Sequence, residues 1–214
     1  IHYDPTWTTL AEYLDYLVAR GVSTNVASYV GATSIRIHEV GYADRRPTSE
    51  ELTRMQELVR QAMRDGALGV GSSLIYAPAF YAQTDELIAL VAAAREYNGG
   101  YISHIRSEGD HYLEALDELI SISRATGARA QIYHLKPAGE TNWDLSEAGL
   151  ARLNAARAEG LDITADVYTY VAGATGLDAA MPPWVQEGGH DAWVARLRDP
   201  AIRARVLREM RAPA

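Results

Sequence analysis

Residues 99–136 read GGYISHIRSEGDHYLEALDELISISRATGARAQIYHLK, and this stretch decides the fold. A short apolar run, Tyr101-Ile102-Ser103, ends in His104. An amphipathic segment with Leu113, Leu116 and Ile120 on one face follows, and Gly127 stops it. A second apolar run, Gln131-Ile132-Tyr133, ends in His134. The order is strand, helix, strand, with a histidine at the carboxyl end of each strand. Parallel strands joined by a crossover helix present those ends on one side of the sheet. Ligands and catalysis in α/β folds sit on that side.

The pattern repeats outward in both directions. Strands are expected near 23–31, 67–73, 100–104, 130–134 and 162–168, with helices between them. Thr48 and Glu51 form a capping-box pattern that opens a helix ending at Gly66, and Thr84 is read as the cap of the next. The glycines of Ala67-Leu68-Gly69-Val70-Gly71 predict that another backbone or a ligand comes close there. Residues 32–47 read as an irregular loop. A Gly/Ala/Pro-rich loop covers 171–189, and the tail is helical and broken near Pro200. Regular βα alternation means a parallel sheet. Spacing alone leaves two forms open: an open doubly wound sheet, or the middle of a barrel. No Gly-rich dinucleotide fingerprint follows any strand, which weakens the nucleotide-binding form.

Composition narrows the classes. Of 214 residues, 48% are hydrophobic and 22% charged, as in a globular protein with a real core. The net charge of −8 gives nucleic-acid binding no electrostatic support. No apolar run approaches the ~20 residues of a membrane span. There is no cysteine, so thiolate metal sites and disulfides are excluded within these residues. No signal peptide is visible, and a cytoplasmic location is the expectation. The chain opens on Ile1 with a stretch that reads like the inside of a domain, so a segment of a longer reading frame is expected.

His104 and His134 are the candidate metal ligands. A single histidine is more often a packed, hydrogen-bonded residue than a ligand. Equivalent placement on adjacent strands, about 4.8 Å apart, changes that weighting, because the two rings can converge on one ion. Two ligands do not complete a catalytic zinc site, which usually has three and a water. Lys136 lies two positions past His134 and falls on the same side if the extension persists, where it could meet a substrate carboxylate. Arg106 stands in the same relation to His104; Arg106, Glu108 and Asp110 could equally form a surface charge cluster, which is the reading for the two acids. Tyr76, Tyr168 and Tyr170 fall just beyond or at strand ends, where a hydroxyl can donate to an oxyanion or carboxylate. The chain has 13 tyrosines, so packing is the default for each. Asp166 reads as a strand aspartate bonded to a neighbour. His2, His38, His111 and His190 receive no role.

The series HIR-x-EG at 104–109, HLK-x-AG at 134–139 and DVY-x-Y at 166–170, with ALGVGSSLIYAP before it, resembles the N-acyl-D-amino-acid deacylase (D-aminoacylase) family of the metal-dependent amidohydrolases. The likeness covers nearly the whole chain. It implies one partial catalytic domain over 1–214, holding the third to seventh units of a (β/α)8 TIM barrel with one or two zinc ions at its carboxyl face. It implies that His104 and His134 are metal ligands and that Lys136, Tyr76 and Tyr168 bind substrate. The implied substrate is an N-acyl amino acid or related N-acyl compound. Three family features have no counterpart here: the first-strand histidine motif, the bridging residue after the second strand, and the general-base aspartate of the eighth. No catalytic residue is therefore expected within the chain, and these residues alone are expected to be inactive. Ala174 stands where the family often has serine, and Tyr133 and Thr169 also depart from its pattern. The rival expectations are a dihydroorotase- or hydantoinase-like cyclic-amide hydrolase and a non-catalytic truncated protein.

Overall fold

The computed structural model describes residues 5–211. Its centre is one sheet of five parallel strands, β1 (Val30–Gly31), β2 (Gly69–Ser73), β3 (Gly100–His104), β4 (Ala130–Ile132) and β5 (Ile163–Ala165). The strands lie side by side in chain order. A doubly wound sheet reverses its strand order at a switch point. Here there is no reversal, so the barrel form is the one observed.

The helices follow from the sequence signals. Helix α1 (Leu10–Arg20) is opened by a capping box between Thr9 and Glu12. Helix α2 (Ala32–Glu39) occupies the stretch read as a loop. Its signal is short: Ala32, Ile35 and Arg36 are its buried positions, and the rest is polar or β-branched. Helix α3 (Ser49–Arg64) carries the expected capping box of Thr48 and Glu51. Helix α4 (Thr84–Arg95) begins at Thr84 itself, with Gln83 at the cap position. The Thr84 hydroxyl instead donates to Glu118 at 2.8 Å. Helices α5 (Tyr112–Thr126) and α6 (Leu145–Ala158) complete the crossovers. Helices α7 (His190–Arg198) and α8 (Pro200–Glu209) break at Pro200 as read. Among the described residues no helix is long and apolar enough to cross a membrane.

Consecutive helices α2 to α6 pack against one another. They form one layer over one face of the sheet. The register row Val70, Tyr101, Ala130, Ile163 points into that layer, and all four are buried. Met55, Val59, Leu90, Val91, Leu116 and Ile122 meet it from the helices. A buried ion pair of 2.5 Å, Arg36 to Glu86, ties α2 to α4. Leaving either charge there without the other would cost several kcal/mol. The alternate row faces the concave side and opens to solvent toward β5, where Thr164 is exposed.

The first glycine of β2 behaves as read. A Cβ on Gly69 would lie 2.0 Å from the carbonyl oxygen of Gly100, and its φ is +148°. Only glycine permits that approach of two backbones. Two expected strands are much shorter than anticipated. The first is two residues, because Gly31 turns the chain into α2. The last covers only Ile163–Ala165, the edge of the sheet among the described residues.

Candidate metal centre and substrate cleft

The hydroxyls of Ser72 and Tyr101 lie 2.7 Å apart, and Ser72 Oγ donates to Ser103 Oγ at 2.9 Å. Ser103 Oγ donates in turn to the carbonyl oxygen of His104, which also accepts from Leu74 N–H. This buried chain fixes the last residue of β3. Satisfied polar networks of this kind rigidify the element they hold.

His134 lies two residues beyond β4, not at its last rung, and its φ is +38°. A non-glycine residue in that region is uncommon and has to be held by its surroundings. Asp166 does the holding. Its Oδ1 accepts from His134 N–H at 2.6 Å, its Oδ2 from Gln131 at 2.7 Å, and its carbonyl from Leu135 N–H at 2.8 Å. Asp166 is thus bonded to its neighbour strand as read, but exposed, because β5 is an edge.

The two imidazoles converge. His104 Nδ1 and His134 Nε2 lie 2.9 Å apart, with the rings edge-on. Tetrahedral zinc with bonds of about 2.0–2.1 Å places two ligand nitrogens ~3.3 Å apart, so small rotations fit this pair around an ion. Burial holds the His104 imidazole below its usual range, reinforced by His134 and Lys136 and opposed by Glu108. An uncharged ring keeps a lone pair for a metal. His104 Nε2 is buried and has no hydrogen-bond partner. Candidate donor atoms of His104, Glu108 and His134 all lie within 4.8 Å of one another. The donor set therefore fits a divalent cation.

Lys136 reaches the same place by another route than alternation. The extension ends at His134, yet Lys136 Nζ lies 3.2 Å from His134 Nδ1 and donates to the His134 carbonyl at 3.2 Å. It also donates to Glu108 Oε1 at 2.7 Å and sits 5.2 Å from the centre of the Tyr168 ring. Tyr76 stands 6.0 Å from the His104 ring, and its hydroxyl pairs with that of Thr175. Tyr168 stands 6.2 Å from the His134 ring. All five expected residues thus line one cleft of about 940 Å³, which Trp143 and residues 137–140 and 170–175 complete.

The surface cluster expected of Arg106, Glu108 and Asp110 does not exist. Arg106 pairs with Glu118 at 2.8 Å and donates to the carbonyls of Phe80 and Ala82, so it fastens the loop that carries Tyr76. Asp110 accepts from Asn142 at 3.1 Å. Glu108 turns into the cleft, its side chain 14% exposed. The sequence signal for it was its place in the HIR-x-EG series, four residues after a metal-type histidine. Of the histidines without a role, His38 and His190 lie exposed, His111 is at the cap of α5, and His2 falls outside the described residues.

A one-way wound parallel sheet with histidines closing successive strands defines part of an amidohydrolase-type barrel. No family profile matches the chain. D-aminoacylase of Alcaligenes xylosoxydans xylosoxydans is 36% identical over 165 residues, which are 77% of this chain and 34% of that protein. N-acyl-D-glutamate deacylase of the same organism is 33% identical over 171 residues, 80% and 35% of the two chains. The solved structure of N-acyl-D-glutamate deacylase from Bordetella bronchiseptica, complexed with zinc and a phosphonate mimic of the tetrahedral intermediate, matches with a TM-score of 0.75 and 32% identity. That match covers 79% of this chain and 36% of that one. The chain belongs to the D-aminoacylase family of amidohydrolases, and it spans about a third of the length of these relatives.

Proposed function

We propose that the chain forms part of a zinc-dependent hydrolase that cleaves the amide of N-acyl D-amino acids. One observation carries the reading: His104 Nδ1 and His134 Nε2 face each other at 2.9 Å, with the ammonium of Lys136 beside them. His104 and His134 would hold the ion. Zinc bound by them would supply a water of pKa about 7 and a Lewis acid for the scissile carbonyl. Lys136 binds the substrate carboxylate, and Tyr76 orients the acyl group through its hydroxyl. Tyr168 lines the pocket and keeps Lys136 in place under the cation–π contact. Residues 170–175 line the cleft beyond Tyr168. The proton to the leaving nitrogen comes from an acid–base group outside these residues, since no free carboxylate of the cleft stands beside the histidine pair apart from Glu108, which Lys136 engages.

Residues 1–214 are read as one partial catalytic barrel domain, with a small-molecule substrate as the partner. The names of the relatives above, D-aminoacylase and N-acyl-D-glutamate deacylase, support an open-chain N-acyl substrate. The test is a substrate panel on the protein expressed from its complete reading frame with zinc. N-acetyl-D-amino acids are hydrolysed, the L-enantiomers poorly, and a chelator abolishes turnover. Hydrolysis of a dihydropyrimidine or hydantoin without any N-acyl amino acid would replace this reading.

A further inference from the structure

Among the described residues Glu108 is the one acidic side chain that touches both a candidate ligand and the candidate carboxylate binder. Its Oε1 accepts from Lys136 Nζ at 2.7 Å and lies 2.9 Å from His134 Nδ1. His134 uses its other nitrogen, Nε2, toward His104. The lone-pair directions of the two nitrogens of one imidazole diverge, so Glu108 sits on the far edge of the ring from the histidine pair. That is where ligating histidines meet the outer carboxylate that orients them. Lys136 sets a second requirement. Its ammonium is 3.2 Å from His134 Nδ1, so a divalent cation on Nε2 would face a like charge across one ring. An anion in contact with both the ring and the ammonium offsets that conflict.

We propose that Glu108 is a positioning residue, which acts through His134 and Lys136 and lets a metal ion and a substrate-binding ammonium share one site. It is not itself a ligand. The inference rests on the zinc-site reading above. Nothing in the sequence series distinguishes this role from a ligand or a surface acid; the geometry favours it, because Oε1 is engaged by Lys136 and lies beside His134 Nδ1, while Nε2 is the nitrogen that faces His104.

The experiment measures zinc affinity by chelator competition in the protein expressed from its complete reading frame. Glu108→Gln, nearly isosteric, loses the charge and weakens zinc binding by roughly 10–100-fold. Glu108→Ala is measured alongside, and the Gln variant carries the test should the Ala variant not fold. In a Lys136→Met background the ammonium is gone, and the loss caused by Glu108→Gln shrinks by several-fold. The visible spectrum of the cobalt-substituted protein keeps its coordination number in Glu108→Gln. Unchanged zinc affinity, an equal loss in both backgrounds, or a cobalt spectrum that reports one ligand fewer would each overturn the proposal. If the wild-type protein binds no zinc, the site reading falls and takes this inference with it. If the wild type binds zinc and turns over but the variants match it, this inference alone falls.

Discussion

Lys136 is shared by three neighbours: Glu108, the His134 carbonyl and the face of Tyr168. A charge-assisted hydrogen bond to a substrate carboxylate is worth about 1.5–3 kcal/mol. Lys136→Met is therefore expected to raise KM for an N-acyl amino acid by roughly 10–150-fold. An analogue with a carboxamide in place of the carboxylate should lose little, and steady-state kinetics on the pair checks this. At this scale the two histidines were legible, because each closes an apolar run in a repeating pattern. Glu108 was not, since the turn after β3 has no period that a sequence pattern can report. Lys136 was reached for a reason that does not hold: the chain turns at His134, and the long side chain comes back to the site.

The elements were legible where several cues agreed. Thr48, Glu51 and the apolar face of α3 all point to one helix, and it forms as read. Helix α2 was hidden because a single turn of burial on Ile35 and Arg36 leaves too little periodicity. Packing between helices lies beyond sequence patterns altogether. Gly149 sits inside α6, where alanine would ordinarily gain about 0.8–1 kcal/mol. Here a Cβ would stand 2.7 Å from the ring and hydroxyl of buried Tyr112 on α5. Gly149→Ala is expected to destabilise by about 1–3 kcal/mol, read as a lower melting temperature. A second pin joins the loop after β2 to the segment after β5: Tyr81 donates to the Pro183 carbonyl at 2.6 Å. Burial pushes this phenol from 10 up to about 12. A value raised on folding means stability that is full below pH 10 and lost as pH rises through 12. Between those limits the wild type should lose stability to denaturant faster than Tyr81→Phe, and equal slopes would deny the pin.

Across the whole molecule, the convex face of the sheet is sealed by helices and the concave face is open toward β5. That asymmetry governs what 214 residues do by themselves. The polypeptide alone is expected to retain zinc weakly and to show no turnover, and both should return in the protein from its complete reading frame. Metal analysis after desalting, with the amide assay, checks this; strong activity from the short chain would contradict it. The barrel itself was half legible. Strand spacing announced a parallel sheet, but only the strand order, which no local pattern encodes, distinguishes one-way winding from a doubly wound sheet.

That winding bears on how the site is made. Every strand after β1 hydrogen-bonds to its predecessor in the chain, so a single crossover joins His104 to His134, and Asp166 of the next segment fixes the second ring. During synthesis the pair is therefore set only once Asp166 has emerged, because its carboxylate holds the turned backbone of His134.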